Sequence, residues 1–505
     1  MNDINRRTLL IGSAGAAGLL GLGGVAAWPR SGPGSPIGVS SAAVRRAEES
    51  RRTPNQRVVD ARLIAQPITL NLGGLVVQTW GYGDSLPGPL LRAQAGDLLR
   101  VKVDNKLNTS TSVHWHGIAL RNDMDGVPGI TQDPIAAGKG FTYEFTAPDP
   151  GTYFYHPHSG VQLDRGLYGV LVIDDPTEPS AYDEEWIVVL DDWVDGTGRT
   201  PDDILKKLRA TKGSGQDGHM GGMGGMGGMD MGSMDGSMQS ALLGGAGDID
   251  YPHYLINGRT PGSPATLTAK PGQRVRIRIV NAGSDTAFRL ALGGHRMTVT
   301  HSDGFPVEPV TTDALLIGMG ERYDVVVTLG DGAFPLVASA EGKKGQGMAI
   351  VRTGGGRRPT GPDVQPAELK GRVVLSTDMK AATAVRLPKK KVDRQLDVAL
   401  SGSMAPYRWT INGKTFPEAE PLMVKQGERV RLSFQNRSMM FHPMHVHGHT
   451  FALASGGARK DTVIVRPMQT IDVELEANNP GRWATHCHNI YHAESGMMTT
   501  LDYEK

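Results

Sequence analysis

The sequence predicts an all-β chain of three homologous β-sandwich domains, and two observations carry that prediction. The first is an internal repeat. Ala95–Asn105, Pro271–Asn281 and Gln426–Asn436 each set a Gly turn before a strict alternation of apolar and polar residues, the mark of a half-buried strand. The copies recur about 150–180 residues apart, the size of one sandwich domain. Ile256-Asn257-Gly258 and Ile411-Asn412-Gly413 precede the second and third copies at the same offset. The second observation is composition: 67 Gly and 32 Pro with only 6% aromatic residues in 505 fit many short strands and turns.

Taken in order, the chain opens on a targeting segment. Asn5-Arg6-Arg7-Thr8-Leu9-Leu10 resembles the twin-arginine signal of bacteria. A weakly apolar run follows to Ala27, and Val25-Ala26-Ala27 supplies a cleavage site, so residues 1–27 are read as a signal peptide. The other reading is an uncleaved membrane anchor. Residues 28–54, rich in Pro, Ser and Arg, read as a flexible lead. The first domain is assigned to 55–178, the second to 181–355 and the third to 366–505. Pro176–Ser180 and Gly354–Gln365 read as linkers, and 201–210 as a short helix with Thr200 as N-cap and Pro201 in its first turn. No other stretch is apolar and long enough to span a bilayer. A net charge of +1 with 21% charged residues points to neither nucleic acid nor an anionic surface. The single cysteine, Cys487, excludes an internal disulfide.

The chemistry lies in the histidines. His114-Trp115-His116-Gly117, His156-Pro157-His158 and His445-Val446-His447-Gly448 are His-x-His pairs, with His442 just upstream of the third. The run His486-Cys487-His488-Asn489-Ile490-Tyr491-His492-Ala493-Glu494-Ser495-Gly496-Met497 adds a fourth pair around the cysteine. On a strand, residues at i and i+2 share a face. His486 and His488 therefore face one way and Cys487 the other, so one short strand can serve two metal sites. Two His, one Cys and a weak axial Met suit a blue copper centre. The second repeat is followed by Phe288-Arg289-Leu290-Ala291-Leu292, without a histidine pair. Domains 1 and 3 therefore carry the candidate ligands, and domain 2 reads as a spacer.

With all four motifs in order, residues 55–505 resemble the multicopper oxidases, in their three-domain laccase-like and copper-efflux branch. The resemblance implies cupredoxin-like Greek-key sandwiches and four copper ions per chain. It implies a type 1 copper at His442, Cys487 and His492 with Met497 axial, and a type 2 copper at His114 and His445. It assigns one type 3 copper to His116, His156 and His488 and the other to His158, His447 and His486. The family takes electrons singly at type 1 and reduces dioxygen to two waters at the trinuclear cluster. Asp125 matches the family's acid downstream of the first pair and is the candidate proton relay; its other reading is a turn residue before Gly126. Ala493 stands where some bacterial members carry Glu, with Glu494 one later. His449 reads as packing.

Residues 213–247 hold a methionine-rich insertion with Met220, Met223, Met226, Met229, Met231, Met234 and Met238 among glycines. Thioethers are soft ligands that select Cu(I), and glycine prevents a stable helix or strand. The alternative is a low-complexity linker. Copper-efflux oxidases carry such insertions in the third domain, whereas this one opens the second. Met440 reads as a Cu(I) contact or as packing, and Ser438 stands where those enzymes tend to have a carboxylate. The leading expectation is an exported oxidase of Cu(I) in the periplasm, the cell envelope or the medium, monomeric, with dioxygen as acceptor. A laccase-like oxidase of phenols or other small reductants is the nearest rival. Behind it stand a Mn(II) or Fe(II) oxidase and a copper-sequestering protein without turnover.

Overall fold

The computed structural model describes residues 36–178, 182–211, 238–356, 359 and 361–505. The signal segment, the start of the lead and methionines 220 to 234 lie outside these residues, as do parts of both linkers. Six large sheets pair into three Greek-key sandwiches of the cupredoxin type. The first combines two four-stranded sheets, the second two six-stranded sheets, and the third a six- and a five-stranded sheet.

The repeat seen in the sequence is a repeat of hydrogen bonds. In each sandwich the repeat strand runs parallel to the strand that enters the domain, pairing Val101 with Ala61, Ile277 with Trp186, and Leu432 with Leu396. Each copy ends on a buried Asn that clamps the turn beyond it. Asn105 donates to Thr109 and Ile135 carbonyls, Asn281 to Thr286 and Ile317, and Asn436 to Met440 and Val465. Their side-chain oxygens accept from Leu107, Gly283 and Ser438 amides. A buried amide with all these partners satisfies a turn that would otherwise leave backbone groups dry and unpaired. The alternating apolar residues, such as Val101 and Val103, Ile277 and Ile279, Leu432 and Phe434, form the cores. One continuous apolar cluster runs through the second and third domains, and the first domain has its own.

The lead is ordered from Pro36 onward, against the expectation of flexibility. Pro36 bridges to Glu504, and helix α1 (Ala42–Glu49) is capped by the Ser41 side chain. The Glu48 carboxylate is buried and accepts from the Thr146 amide and hydroxyl. Arg51 reaches Asn479 at 2.9 Å. Good helix formers behind a Ser cap, and a carboxylate with donors waiting for it, outweigh the loop-like composition. Helix α2 (Pro201–Arg209) carries a full capping box between Thr200 and Asp203. Among the described residues no helix is long and apolar enough to cross a membrane.

Candidate metal centres

Four strands set the histidines. Strands β1 (His114–His116) and β2 (Gly151–His156) pair antiparallel with His114 opposite His156. Strands β3 (His442–Val446) and β4 (Arg482–Cys487) pair likewise, with His445 opposite His486 and Met444 opposite Cys487. His158, His447 and His488 stand just past the strand ends. The two halves then interleave. His114 stacks on His447 and His116 on His445, each with ring centres 3.8 Å apart. His158, His447 and His486 bring their ring nitrogens together, with Nε2 of His486 3.0 Å from His447 and 3.2 Å from His158. His116, His156 and His488 lie with ring centres 4.9–5.7 Å apart. Glycine is required beside them: a Cβ at Gly126, which sits at φ +82°, would stand 1.8 Å from the Val113 carbonyl.

The eight rings are aimed inward, and seven of them are pushed towards the neutral form. Burial pushes His116, His156, His158, His447 and His488 well below the usual imidazole range, and neighbouring rings add to it. Burial likewise holds His486 down to about 3. Two imidazolium charges at the observed spacing would repel by about 4 kcal/mol even at an effective dielectric of 20. The outward N–H groups fix the tautomers. Nδ1 of His114 donates to the Asp125 carbonyl and Nδ1 of His445 to the Asp461 carbonyl, both at 2.9 Å. His156 and His486 donate to the Pro157 and Cys487 carbonyls. His447 Nδ1 donates to Asp125 Oδ2 at 2.9 Å and His116 Nε2 to Asp461 Oδ1 at 3.0 Å. Left over inside are Nε2 of His114, His156 and His445, Nδ1 of His116 and both nitrogens of His488, buried without hydrogen-bond partners. Unpartnered buried lone pairs are costly, and held imidazoles with free inner nitrogens are what a metal site needs. The residues fit copper.

A second centre lies behind β4. Cys487 Sγ stands 3.6 Å from His442 Nδ1 and 3.7 Å from His492 Nδ1, with the two nitrogens 3.1 Å apart. His492 comes back to the cysteine on helix α3 (Ile490–Glu494). The Asn489 side chain caps it by accepting from the Tyr491 and His492 amides. Met497 is buried, and its carbonyl accepts from the Cys487 amide at 3.1 Å. Burial pushes the Cys487 thiol far up, so without a cation the sulfur stays protonated. A soft metal is what favours the thiolate there. The outer nitrogens are capped: His442 Nε2 meets Ser438 Oγ at 2.8 Å and His492 Nε2 donates to Asp248 Oδ2 at 2.8 Å. Trp409 packs against His492 at 4.0 Å between ring centres, tilted by 36°, and edge-on to His442 at 5.2 Å.

Of the other residues singled out, Asp125 is fully buried and touches His447 and His114. Met440 is buried against Gly245, whose added Cβ would lie 2.6 Å from its sulfur. Met238 is half-buried at the foot of the hairpin that pairs Gln239 and Ser240 with Gly245 and Gly244. Glu494 pairs with Arg209 rather than with any histidine ligand candidate. His449 is a packing residue, its Nε2 bonded to Tyr503 at 2.7 Å. Sequence reasoning missed Asp248, Asp461 and Trp409. None has a motif around it; each is placed by a fold contact from far along the chain.

Multicopper oxidase family models match residues 65–178, 230–356 and 390–505. The chain is 51% identical to the multicopper oxidase MmcO of Mycobacterium tuberculosis, over 90% of this chain and 89% of that protein. The chain belongs to the multicopper oxidase family. It is also 29% identical to a copper resistance protein A homolog of Pseudomonas syringae pv. tomato, over 99% of both. The crystal structure of a multicopper oxidase from Pseudomonas thermotolerans superposes with a TM-score of 0.67 at 28% identity, over 89% of this chain and all of that one.

Two outcomes follow for this oxidase. Cys487→Ser should abolish the blue absorption of the copper-loaded protein while copper at the eight histidines is largely kept, read by metal analysis against the visible spectrum. A variant that stays blue would exclude Cys487 as the chromophore's ligand. The second concerns pH. A histidine held neutral in the fold takes up protons only on unfolding, so its stabilisation is full above about pH 6.5 and falls as pH drops towards the lowered folded values. Thermal melts of the copper-free protein should therefore weaken steadily from pH 7 to pH 5. A flat profile would mean that the rings are not held neutral.

Proposed function

We propose that this multicopper oxidase is an exported cuprous oxidase, taking electrons from Cu(I) and serving copper detoxification. In this reading His442, Cys487 and His492, with Met497, would hold the type 1 copper, and His114 with His445 would hold type 2. His116, His156 and His488, and His158, His447 and His486, would hold the type 3 pair. Copper bound at these residues supplies one-electron redox chemistry at the first site and four-electron reduction of dioxygen to water at the second. The chain's own part is connection, access and protons. Cys487 belongs to one centre and its neighbours His486 and His488 to the other, so residues 486–488 join the centres through a few covalent bonds.

The observation that carries Cu(I) is Asp248. Its carboxylate caps His492, accepts from Tyr407 at 2.5 Å, and keeps Oδ1 buried without a partner. Both type 1 imidazoles are buried. A phenol cannot lay its ring on the edge of an imidazole so covered, whereas a small cation is drawn to the carboxylate. Asp248 also stands just after the methionine-rich insertion, and residues on either side of its methionines rest on the third domain. On one side Arg209 donates to the Glu494 carbonyl on α3. On the other, Gly244 and Gly245 lie against Pro467, Met439 and Met440. Thioethers anchored there would concentrate Cu(I) beside Asp248. For protons, Asp125 bonds His447 through Oδ2, while Oδ1, 3.2 Å from His114 Nδ1, takes no hydrogen bond. That free oxygen is placed to hold and pass a proton.

Deleting residues 219–238 should raise the KM for Cu(I) several-fold and leave phenol oxidation similar or faster. Asp248→Asn should lower kcat/KM for Cu(I) by about 10-fold or more and affect phenols less. Oxygen uptake with both substrates reads both effects. Equal slowing of both substrates favours the laccase reading, and Cu(I) binding without oxygen uptake favours sequestration. Asp125→Asn keeps shape but cannot carry a proton. It should cut turnover by roughly 10²–10⁴ while the blue band still bleaches with substrate under anaerobic conditions. Near-normal oxygen reduction would leave Asp125 a turn residue.

A further inference from the structure

Two aspartates occupy matching places on the two halves of the histidine cluster. The Asp125 carbonyl takes His114 of its own domain and its carboxylate reaches across to His447. The Asp461 carbonyl takes His445 of its own domain and its carboxylate reaches across to His116. Their surroundings differ. Asp125 has a free oxygen, whereas Asp461 is saturated. Arg322 grips it with two parallel bonds, Nη1 to Oδ1 at 2.7 Å and Nη2 to Oδ2 at 2.6 Å. Thr462 Oγ1 adds a third at 2.9 Å. Both charged side chains are 0% exposed.

Arg322 comes from the second domain, which supplies none of the histidines. Its guanidinium also donates to the carbonyl of Thr152 in the first domain at 3.1 Å and to Gly320 at 3.1 Å. One cation thus touches all three domains. Around it Lys460 meets Asp303 at 3.1 Å and Glu321 at 3.2 Å. The glycine after the first histidine pair makes room for the grip: a Cβ on Gly117 would stand 2.4 Å from Arg322 Nη2 and 2.6 Å from Asp461 Oδ2. The Gly320 backbone forms a wall beside His488 and His116. If domain packing were all that mattered, apolar side chains of similar volume would serve as well or better than a buried ion pair. A bidentate pair whose carboxylate also takes His116 does something that apolar packing does not. It fixes the tautomer of His116 and steadies His445, whose Nδ1 lies 3.5 Å from Asp461 Oδ1.

We infer that Arg322 and Asp461 are a positioning pair for the oxygen-reducing cluster. Asp461 is the fixed anion that orients His116 and His445, Asp125 is its proton-handling counterpart, and the second domain takes part in the site through Arg322. This rests on the reading of the eight histidines as copper ligands. The test uses the full-length, copper-loaded enzyme with Asp461→Asn, Arg322→Gln and Arg322→Lys, followed by electron paramagnetic resonance, copper content and the blue band. Asp461→Asn and Arg322→Gln should shift the type 2 hyperfine coupling and weaken copper retention by the cluster roughly 10–100-fold against a chelator. The type 1 signal should stay unchanged in both. Arg322→Lys keeps the charge without the fork and should give a smaller shift. Should Arg322→Gln fail to fold, the near-isosteric Asp461→Asn and the Lys variant carry the same comparison. A type 2 spectrum and copper content unchanged by the substitutions overturn the pair's role, and so does loss of both centres together. A wild-type enzyme with no type 2 signal overturns instead the assignment of the histidines.

Discussion

Eight imidazoles share one interface between two domains, and the rest of the structure follows from keeping them there. Protonated, the rings would drive the halves apart; unheld, their inner lone pairs would be left buried and unpaired. The fold answers by giving six of the rings an outward acceptor. Carbonyls of Asp125, Pro157, Asp461 and Cys487 take four of them, and the carboxylates of Asp125 and Asp461 take two more. Every such acceptor turns a histidine into a directed donor of electron pairs. Stacking of His114 on His447 and His116 on His445 makes the site a property of both domains, present in neither alone.

The second domain completes the arrangement without offering a ligand. Arg322 pins Asp461 at the cluster, and Asp248 caps His492 at the cysteine centre. Asp285 ties Asp248 to the cap of α3. It is ion-paired to Lys343 at 2.6 Å and accepts from Asn489, the cap of α3, and from the Asp248 amide. The segment from Cys487 to His492 is thereby held at Asn489 and at His492 by contacts from another domain. Such rigidity suits electron transfer, which needs fixed spacing and little reorganisation.

Much of this was legible in the sequence because it is periodic or chemically rare. The repeat with its terminal Asn, the alternate-face logic of His486, Cys487 and His488, and the capping box at Thr200 are local rules with local signatures. The α1 segment was misread because composition spoke for a loop, whereas Ser41 as cap and Glu48 as a buried anchor decide for a helix. The return of His492 to Cys487 needs the short helix capped by Asn489, which no strand pattern forecasts. Asp461, Arg322 and Asp248 were silent because their meaning lies in partners more than a hundred residues away. Carboxylates and arginines are common on any surface, and only the fold shows which of them are buried against a ring.

The central claim is that copper sits in two places joined by residues 486–488, one behind β4 and one between the first and third domains. Anomalous diffraction at the copper absorption edge, from crystals of the loaded enzyme, tests it most directly. The account predicts one copper peak among His442, Cys487 and His492 and further peaks enclosed by the eight histidines. Copper confined to the cysteine centre, or bound only at surface methionines with the histidines empty, would contradict it.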